Sequence, residues 1–334
     1  MASTILGLDI GGANLKAAVP GGPAKTVPFP LWREWDRLHE FLAEICRQFP
    51  AFEKLAVTMT GELCDCFPSK RDGVRQILAA VEPIADGRPI GVWSTAGQFL
   101  TPDAALTQWL KVAAANWHAL ATWVGATLAP EGPALLLDLG STTMDLIPLQ
   151  DGRPACRGLT DRERLQTGEL LYTGARRTPV GSFWSACPGL AAELFATTLD
   201  VYLILGAIPE DETDTATADS RPATRALAHA RLSRMLGGDG SEISEAQTRQ
   251  LAQQIRDLQW QAIENAVRTV SEAMNAPVTT LITAGSGEWL LRPLREFPDF
   301  ASARHLSLTD QLGPAGSSAA PALAVAALAQ EFRR

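Results

Sequence analysis

The residues able to do chemistry gather in three glycine-containing stretches. The first, LDIGGANLK, closes an apolar run on Asp9, turns through Gly11 and Gly12, and sets Asn14 and Lys16 just beyond. Two glycines suffice for a hairpin turn; an aspartate at the strand end and a lysine across the turn are surplus to that need. The second, LDLGSTTMD, repeats the order with Asp138, Gly140, Ser141, Thr142, Thr143 and Asp145. The third, TAGSGEW, carries Gly285, Ser286 and Gly287 after another apolar run. Glycine lets main-chain amides close on a phosphate, and residues 141–143 add hydroxyl donors. Lys16 supplies a point charge, while Asp9 and Asp138 can hold a divalent cation directly or through water. The chemistry is that of a phosphate or diphosphate cradle. Its form is neither a Walker loop nor a G-x-G-x-x-G turn opening a helix. One such turn alone is commonly just a hairpin, so the ordered set of three is what informs.

Such loops need strands to end on them. TILGLDI, LKAAVP and AKTVPFP read as successive strands, WDRLHEFLAEICRQF as a helix, KLAVTMT and PIGVWST as buried-type strands around a helix through GVRQILAAVEPI. Residues 101–128 read as helical, with Thr101 and Pro102 as cap and first turn. PALLLDLGSTTMDLIPLQDG then copies the opening pattern, an internal structural repeat. Residues 209–221, acidic and rich in Thr and Ala, read as an exposed loop, followed by a long helix over 243–275. VTTLITAGSGEWLLRPLREF reads strand, glycine loop, helix, and a last helix covers 317–332.

The 334 residues, 46% hydrophobic and 20% charged, supply core for one large or two medium domains. A net charge of −8 argues against a general nucleic-acid surface but allows a local basic pocket. No run of about 18 apolar residues suggests a membrane span, and the N-terminus lacks a signal peptide's basic region. The five cysteines form no zinc set. A cytoplasmic protein with reduced thiols is expected, with neither nucleic acid nor membrane as partner.

The ordered loops resemble those of the acetate kinase, sugar kinase, Hsp70 and actin (ASKHA) superfamily. The resemblance implies an α/β fold of two ribonuclease H-like lobes, each a five-stranded mixed sheet with helices, around a phosphate-binding cleft. The lobes would span 1–130 and 131–334, the second with helical insertions and a final helix able to return to the first. The first two loops would bracket phosphates and the third would contact a nucleoside. A narrower likeness lies in TMTGELCDCFPSKRDGV (58–74), AAANWHALA (113–121) and GELLYTGARRTPV (168–180), taken with LDIGGANLKAA. These resemble a branch of the hydantoinase/oxoprolinase family associated with tetrahydromethanopterin-linked one-carbon metabolism. That resemblance implies a transferase of methanofuran-type cofactor biosynthesis. An aminomethyl-furanmethanol diphosphate would be joined to a tyramine- or tyrosine-type phenol, forming an aryl ether and releasing pyrophosphate. The implied partners are those two small molecules, and a homodimer is compatible. Mg²⁺ or another divalent cation is the implied cofactor; ATP is compatible but not required. The rivals are an ATP-dependent small-molecule kinase, a hydantoinase/oxoprolinase-type ATPase, and a nucleotide-dependent interaction protein.

Under that resemblance Glu62, by its place in the family motif, and Asp65 are the candidate proton acceptors, and Lys16 assists the leaving group. Both carboxylates lie just past KLAVTMT, at the edge where α/β sheets carry their sites; the other reading is a turn cap for either. Lys70 and Arg71 reach a diphosphate or pair at the surface. His118 donates to phosphate, orients a base, or serves the helix structurally beside Asn116 and a core Trp117. Glu169 is a candidate metal or substrate contact with Tyr172 packed over it. Arg176 and Arg177 suit an anionic substrate or surface ion pairs. Glu288 and Trp289 contact an aromatic ring or simply begin a helix.

Overall fold

The computed structural model describes residues 4–331. Its first sheet is built from β1 (Ile5–Ile10), β2 (Asn14–Ala18), β3 (Ala24–Pro28), β4 (Lys54–Met59), β5 (Ile90–Ser94) and β6 (Gln98–Leu100), in the order β3-β2-β1-β4-β5-β6. The first three strands form an antiparallel meander, and β1, β4 and β5 run parallel. The second sheet uses β7 (Pro133–Leu139), β8 (Met144–Gln150), β9 (Arg153–Pro154), β10 (Leu170–Leu171), β11 (Thr280–Ala284) and β12 (Arg304–Ser307). Its order, β10-β8-β7-β11-β12 with β9 also on β8, repeats the plan: an antiparallel hairpin, then parallel strands on the other side of the opening one. The repeat read from the two Asp-Gly stretches is therefore a repeat of topology. Each sheet holds six strands rather than five. The first gains β6 at its edge, and in the second the outer position beside β8 is shared by two strands of two residues each.

The helices are α1 (Leu31–Glu34), α2 (Leu38–Cys46), α3 (Lys70–Ala85), α4 (Pro102–Thr107), α5 (Trp109–Val112), α6 (Asn116–Leu128), α7 (Asp161–Thr167), α8 (Thr198–Leu205), α9 (Arg225–Met235), α10 (Glu245–Glu272), α11 (Leu308–Ser318) and α12 (Ala320–Glu331). Apolar faces of α2 and α3 cover one side of the first sheet. On its other side, α6 and α12 are shared with the second sheet, so Ile5, Ala56 and Trp93 belong to the same core as Leu136, Ile147 and Ile282. The far side of the second sheet packs on α10. The alanine-rich α12 sits so close to β1 that a side chain at Gly7 would overlap the Ala322 carbonyl. The last helix thus returns to the first sheet.

Expectations change in several further elements. Residues 101–128 are not one helix: the chain breaks at Ala113 and Ala114, the latter left-handed at φ 48°. The segment after the third loop is a 3-10 helix over Glu288–Glu296, since Pro293 removes an α-helical donor. The last helix is α12, which begins at Ala320 rather than 317 and is preceded by a separate helix, α11; Phe332, expected at its end, lies outside the described residues. The acidic loop after α8 is tied down rather than solvated throughout, because Asp214 pairs with Arg176 and Asp219 with the fully buried Arg231. Among the described residues, no single helix is long and apolar enough to cross a membrane.

Candidate active site

The two hairpin turns are closed alike. Gly11 N–H donates to the Asn14 carbonyl at 3.0 Å, and Gly140 N–H to the Thr143 carbonyl at 2.9 Å. Sheet register sets Asp9 opposite Lys16 and, at the matching place in the repeat, Asp138 opposite Asp145. One hairpin thus carries an acid and a base, the other two acids. Lys16 Nζ lies 3.0 Å from Asp9 Oδ2, and Asp9 Oδ1 is buried with no hydrogen-bond partner. Burial works against the Lys16 ammonium, but Asp9 and, across the cleft, Asp138 and Asp145 outweigh it and hold its pKa above the usual lysine value. The four side chains form one electrostatic unit.

Burial, then the facing Asp145, push Asp138 up to about 7 against the pull of Lys16. Asp145 is also raised by burial, opposed by the Arg164 guanidinium, whose Nη1 is 2.8 Å from its Oδ1. Arg164, fully buried in α7, donates from Nη2 to the Glu169 carbonyl and lies over the Trp117 ring at 4.0 Å. These contacts fix the acid of the second hairpin.

Glu62 is the other exposed thread of chemistry made internal. It follows β4, is 1% exposed, and among the described residues neither carboxylate oxygen has a partner in hydrogen-bonding geometry, though the backbone amides of Glu62 and Ala114 lie near enough to favour its ionised form. Burial drives its pKa up to about 7; Lys70 opposes the rise and Asp161 adds to it. A buried carboxyl poised near neutrality is suited to accept or donate a proton. The left-handed Ala114 lies in the segment packed on this carboxyl, a non-glycine in a costly conformation beside a candidate site. Lys70, first residue of α3 after the capping Ser69, reaches Asp161 of α7 at 3.3 Å.

The 168–178 stretch is stapled to the second loop: Ala175 N–H donates to the Gly140 carbonyl, and the amides of Arg176 and Arg177 to that of Ser141. Thr178 Oγ1 accepts from the Gly174 amide, and Gln259 of α10 donates to Thr173 and Gly174. Arg177 is thereby carried to the cleft, its guanidinium 4.5 Å above the Trp32 ring.

Several predicted contacts fall elsewhere. Asp65 and Arg71 are exposed. His118 is buried beside Trp93, whose Nε1 donates to its Nδ1 at 3.2 Å; burial and Arg164 hold its pKa down at about 4, so it carries no charge for a phosphate. Glu169 is fully buried, and both its oxygens accept internally, from the amides of Arg157 and Gly158 and from Thr167. Tyr172 instead stands half-exposed within electrostatic reach of Asp161, Asp145 and Glu62. Arg176 is taken by Asp214.

In the third loop, Gly287 N–H donates to the Leu139 carbonyl and is not free for an anion. Gly285, at φ 92°, has no room for a side chain, which would overlap the Leu139 carbonyl and Asp138 Oδ1. The loop's glycines therefore seat it against the end of β7. Glu288 is held by Thr283 and Thr309, and Trp289 packs edge-to-face on Tyr202 at 4.9 Å. Beside the loop is a pocket of about 530 Å³ lined by Ser286, Trp289, Arg292, Arg295 and Thr309.

Sequence reasoning assigned no role to Arg164, Asp161 or Trp32. The TDRE stretch signals the capping box that opens α7, but nothing local announces the partners of Asp161 and Arg164. Among the described residues, no three His, Cys, Asp or Glu side chains form a ready metal cluster. The unpartnered Asp9 oxygen and half-buried Asp138 fit a cation that takes its other ligands from phosphate and water.

Two such sheets share one topology, and their matched hairpin loops come close enough for Lys16 to feel Asp138 and Asp145, the arrangement expected of the ASKHA fold class. Residues 53–332 match the hydantoinase/oxoprolinase family, and the chain belongs to it. It is 32% identical over 336 residues to (4-{4-[2-(gamma-L-glutamylamino)ethyl]phenoxymethyl}furan-2-yl)methanamine synthase of Methanocaldococcus jannaschii, covering 98% of each chain. The synthase of the same name from Methanococcus vannielii is 32% identical over 201 residues, covering 58% of this chain and 89% of that one. Among solved structures, the nucleotide-free acetone carboxylase, from a study of ATP-dependent acetone carboxylation, aligns with TM-score 0.58 at 9% identity, over 98% of this chain and 70% of that one. That likeness bears on the fold alone.

Proposed function

We propose that the chain is a transferase of methanofuran-type cofactor biosynthesis, joining an aminomethyl-furanmethanol diphosphate to a tyramine-type phenol with loss of pyrophosphate. The relatives' name gives a product with a phenoxymethyl-furan ether; the diphosphate leaving group comes from the resemblance of the loops and motifs. The observation in this chain that carries the chemistry is Glu62, a buried carboxyl with two unpartnered oxygens and a pKa near 7. It accepts the phenolic proton as the ether forms. Lys16, Lys70 and Arg177 face the diphosphate with the hydroxyls of residues 141–143 and the loop amides other than those of Gly11 and Gly140, which close the two hairpins. Asp9 and Asp138 hold a divalent cation, which when bound neutralises charge on the leaving oxygens. The two sheets are cores of lobes spanning 1–130 and 131–334, and the reaction takes place in the cleft between them.

The pocket beside Ser286 favours one second reading, a kinase or ATPase with a nucleoside lodged there. Thermal unfolding with pyrophosphate or ATP, each with and without Mg²⁺, separates the two. A ligand that binds only the folded state raises Tm by mass action. The transferase reading expects stabilisation by pyrophosphate with Mg²⁺ and little response to ATP; a large ATP response followed by phosphate release supports the second reading and overturns the first.

A further inference from the structure

Trp32 and Arg177 belong to opposite sides of the cleft and hang from opposite phosphate loops. Trp32 lies in α1, whose first amide, that of Leu31, donates to the Gly12 carbonyl; the Arg177 amide donates to the Ser141 carbonyl. Trp32 keeps 36% of its surface exposed, so it is not a core residue. The indole face is already used as a cation site, with the guanidinium 4.5 Å above it, and no carboxylate among the described residues forms an ion pair with Arg177.

We infer that the Trp32 indole is the face that stabilises the positive carbon of the reaction, covered by Arg177 until a diphosphate draws the guanidinium away. The inference rests on the transferase reading. When the methylene C–O bond breaks, its electron pair leaves on the diphosphate and positive charge spreads over the methylene and furan ring. The phenol oxygen then bonds to that carbon, and its proton passes to Glu62. Arg177 has two partners of unequal strength: an indole, and an anion it can hold through two hydrogen bonds. A diphosphate wins that competition. On this inference the vacated indole face flanks the methylene, where a ring quadrupole favours cationic charge over neutral substrate. Stabilisation that appears only as charge develops raises kcat rather than binding.

The test compares wild type, Trp32→Phe and Trp32→Leu. With both substrates supplied, Trp32→Leu should lose about 30-fold in kcat with little change in KM for the phenol, and Trp32→Phe should recover most of it. A residue serving only to shape the cleft would shift Tm and KM, and Phe would not rescue selectively. Unchanged kcat in Trp32→Leu overturns the inference while leaving the transferase reading standing. Independently of turnover, titrating pyrophosphate with Mg²⁺ should change tryptophan fluorescence in wild type and not in Trp32→Phe. Bound pyrophosphate without that difference also overturns it. Wild type that binds pyrophosphate and shows the fluorescence change but makes no ether counts against the transferase reading instead.

Discussion

Glu62 and Lys16 show how a close opposite charge, or its lack, decides the electrostatic outcome. Lys16 has Asp9 at 3.0 Å and stays charged; Glu62 has no hydrogen-bond partner and is pushed up to about 7. Replacing Glu62 by Gln should lower ether formation by at least about 100-fold, in line with loss of a general base. Since the base must be ionised, wild-type kcat/KM should rise with pH through about 7, and the variant should lose that limb. Stability runs the other way. A carboxyl raised in the folded state contributes stability that is fully present below its unfolded pKa, about 4.3, and lost as pH rises through the folded value. Wild-type Tm should therefore decline between pH 5 and 8 more steeply than that of Glu62→Gln, as read by thermal unfolding across that range. Lys16→Met strands the buried Asp9 carboxylate and should cost about 3 kcal/mol in denaturant unfolding.

At the level of elements, the hairpins were legible because their signals are local: an aspartate at a strand end, glycines at the turn, a polar residue across it. Glu62 was legible for the same reason, as the acid after a buried strand. Lys70–Asp161 and Trp32–Arg177 were not, since each joins residues far apart in sequence that only the closing of two sheets brings together. The internal bonding of Glu169 was hidden for a similar reason. A carboxylate in a glycine-rich motif looks available until the loop folds over it and three donors consume it. The break at Ala113 and Ala114 escaped because alanine is the strongest helix former, and tertiary packing overrode that preference. Two elements carry their own tests. Gly7→Ala forces α12 off β1 and should destabilise the fold by about 1–3 kcal/mol. Arg231→Met leaves Asp200, fully buried and 2.7 Å from the Arg231 Nε, without its partner, and should cost about 3–5 kcal/mol in equilibrium unfolding.

Over the whole molecule, one topology is used twice and then made unequal where chemistry requires it. The shared helices α6 and α12 bind the two sheets through a common apolar core, while the hairpin loops meet on charge. Position for position, Lys16 of the first hairpin is Asp145 of the second, so one hairpin presents an acid–base pair and the other two acids. Under the proposed transferase reading, that asymmetry suits a diphosphate held with a divalent cation, with the buried Glu62 as the proton acceptor. In the proposed reaction, loss of that diphosphate drives ether synthesis. Its direct test is to incubate the purified protein with aminomethyl-furanmethanol diphosphate, a tyramine-type phenol and Mg²⁺, without nucleotide, and follow both products by mass spectrometry and a pyrophosphate assay. The account predicts aryl ether and pyrophosphate in equal amounts, with no need for ATP. Ether formation that requires ATP hydrolysis, or ATP turnover with no ether at all, would contradict it.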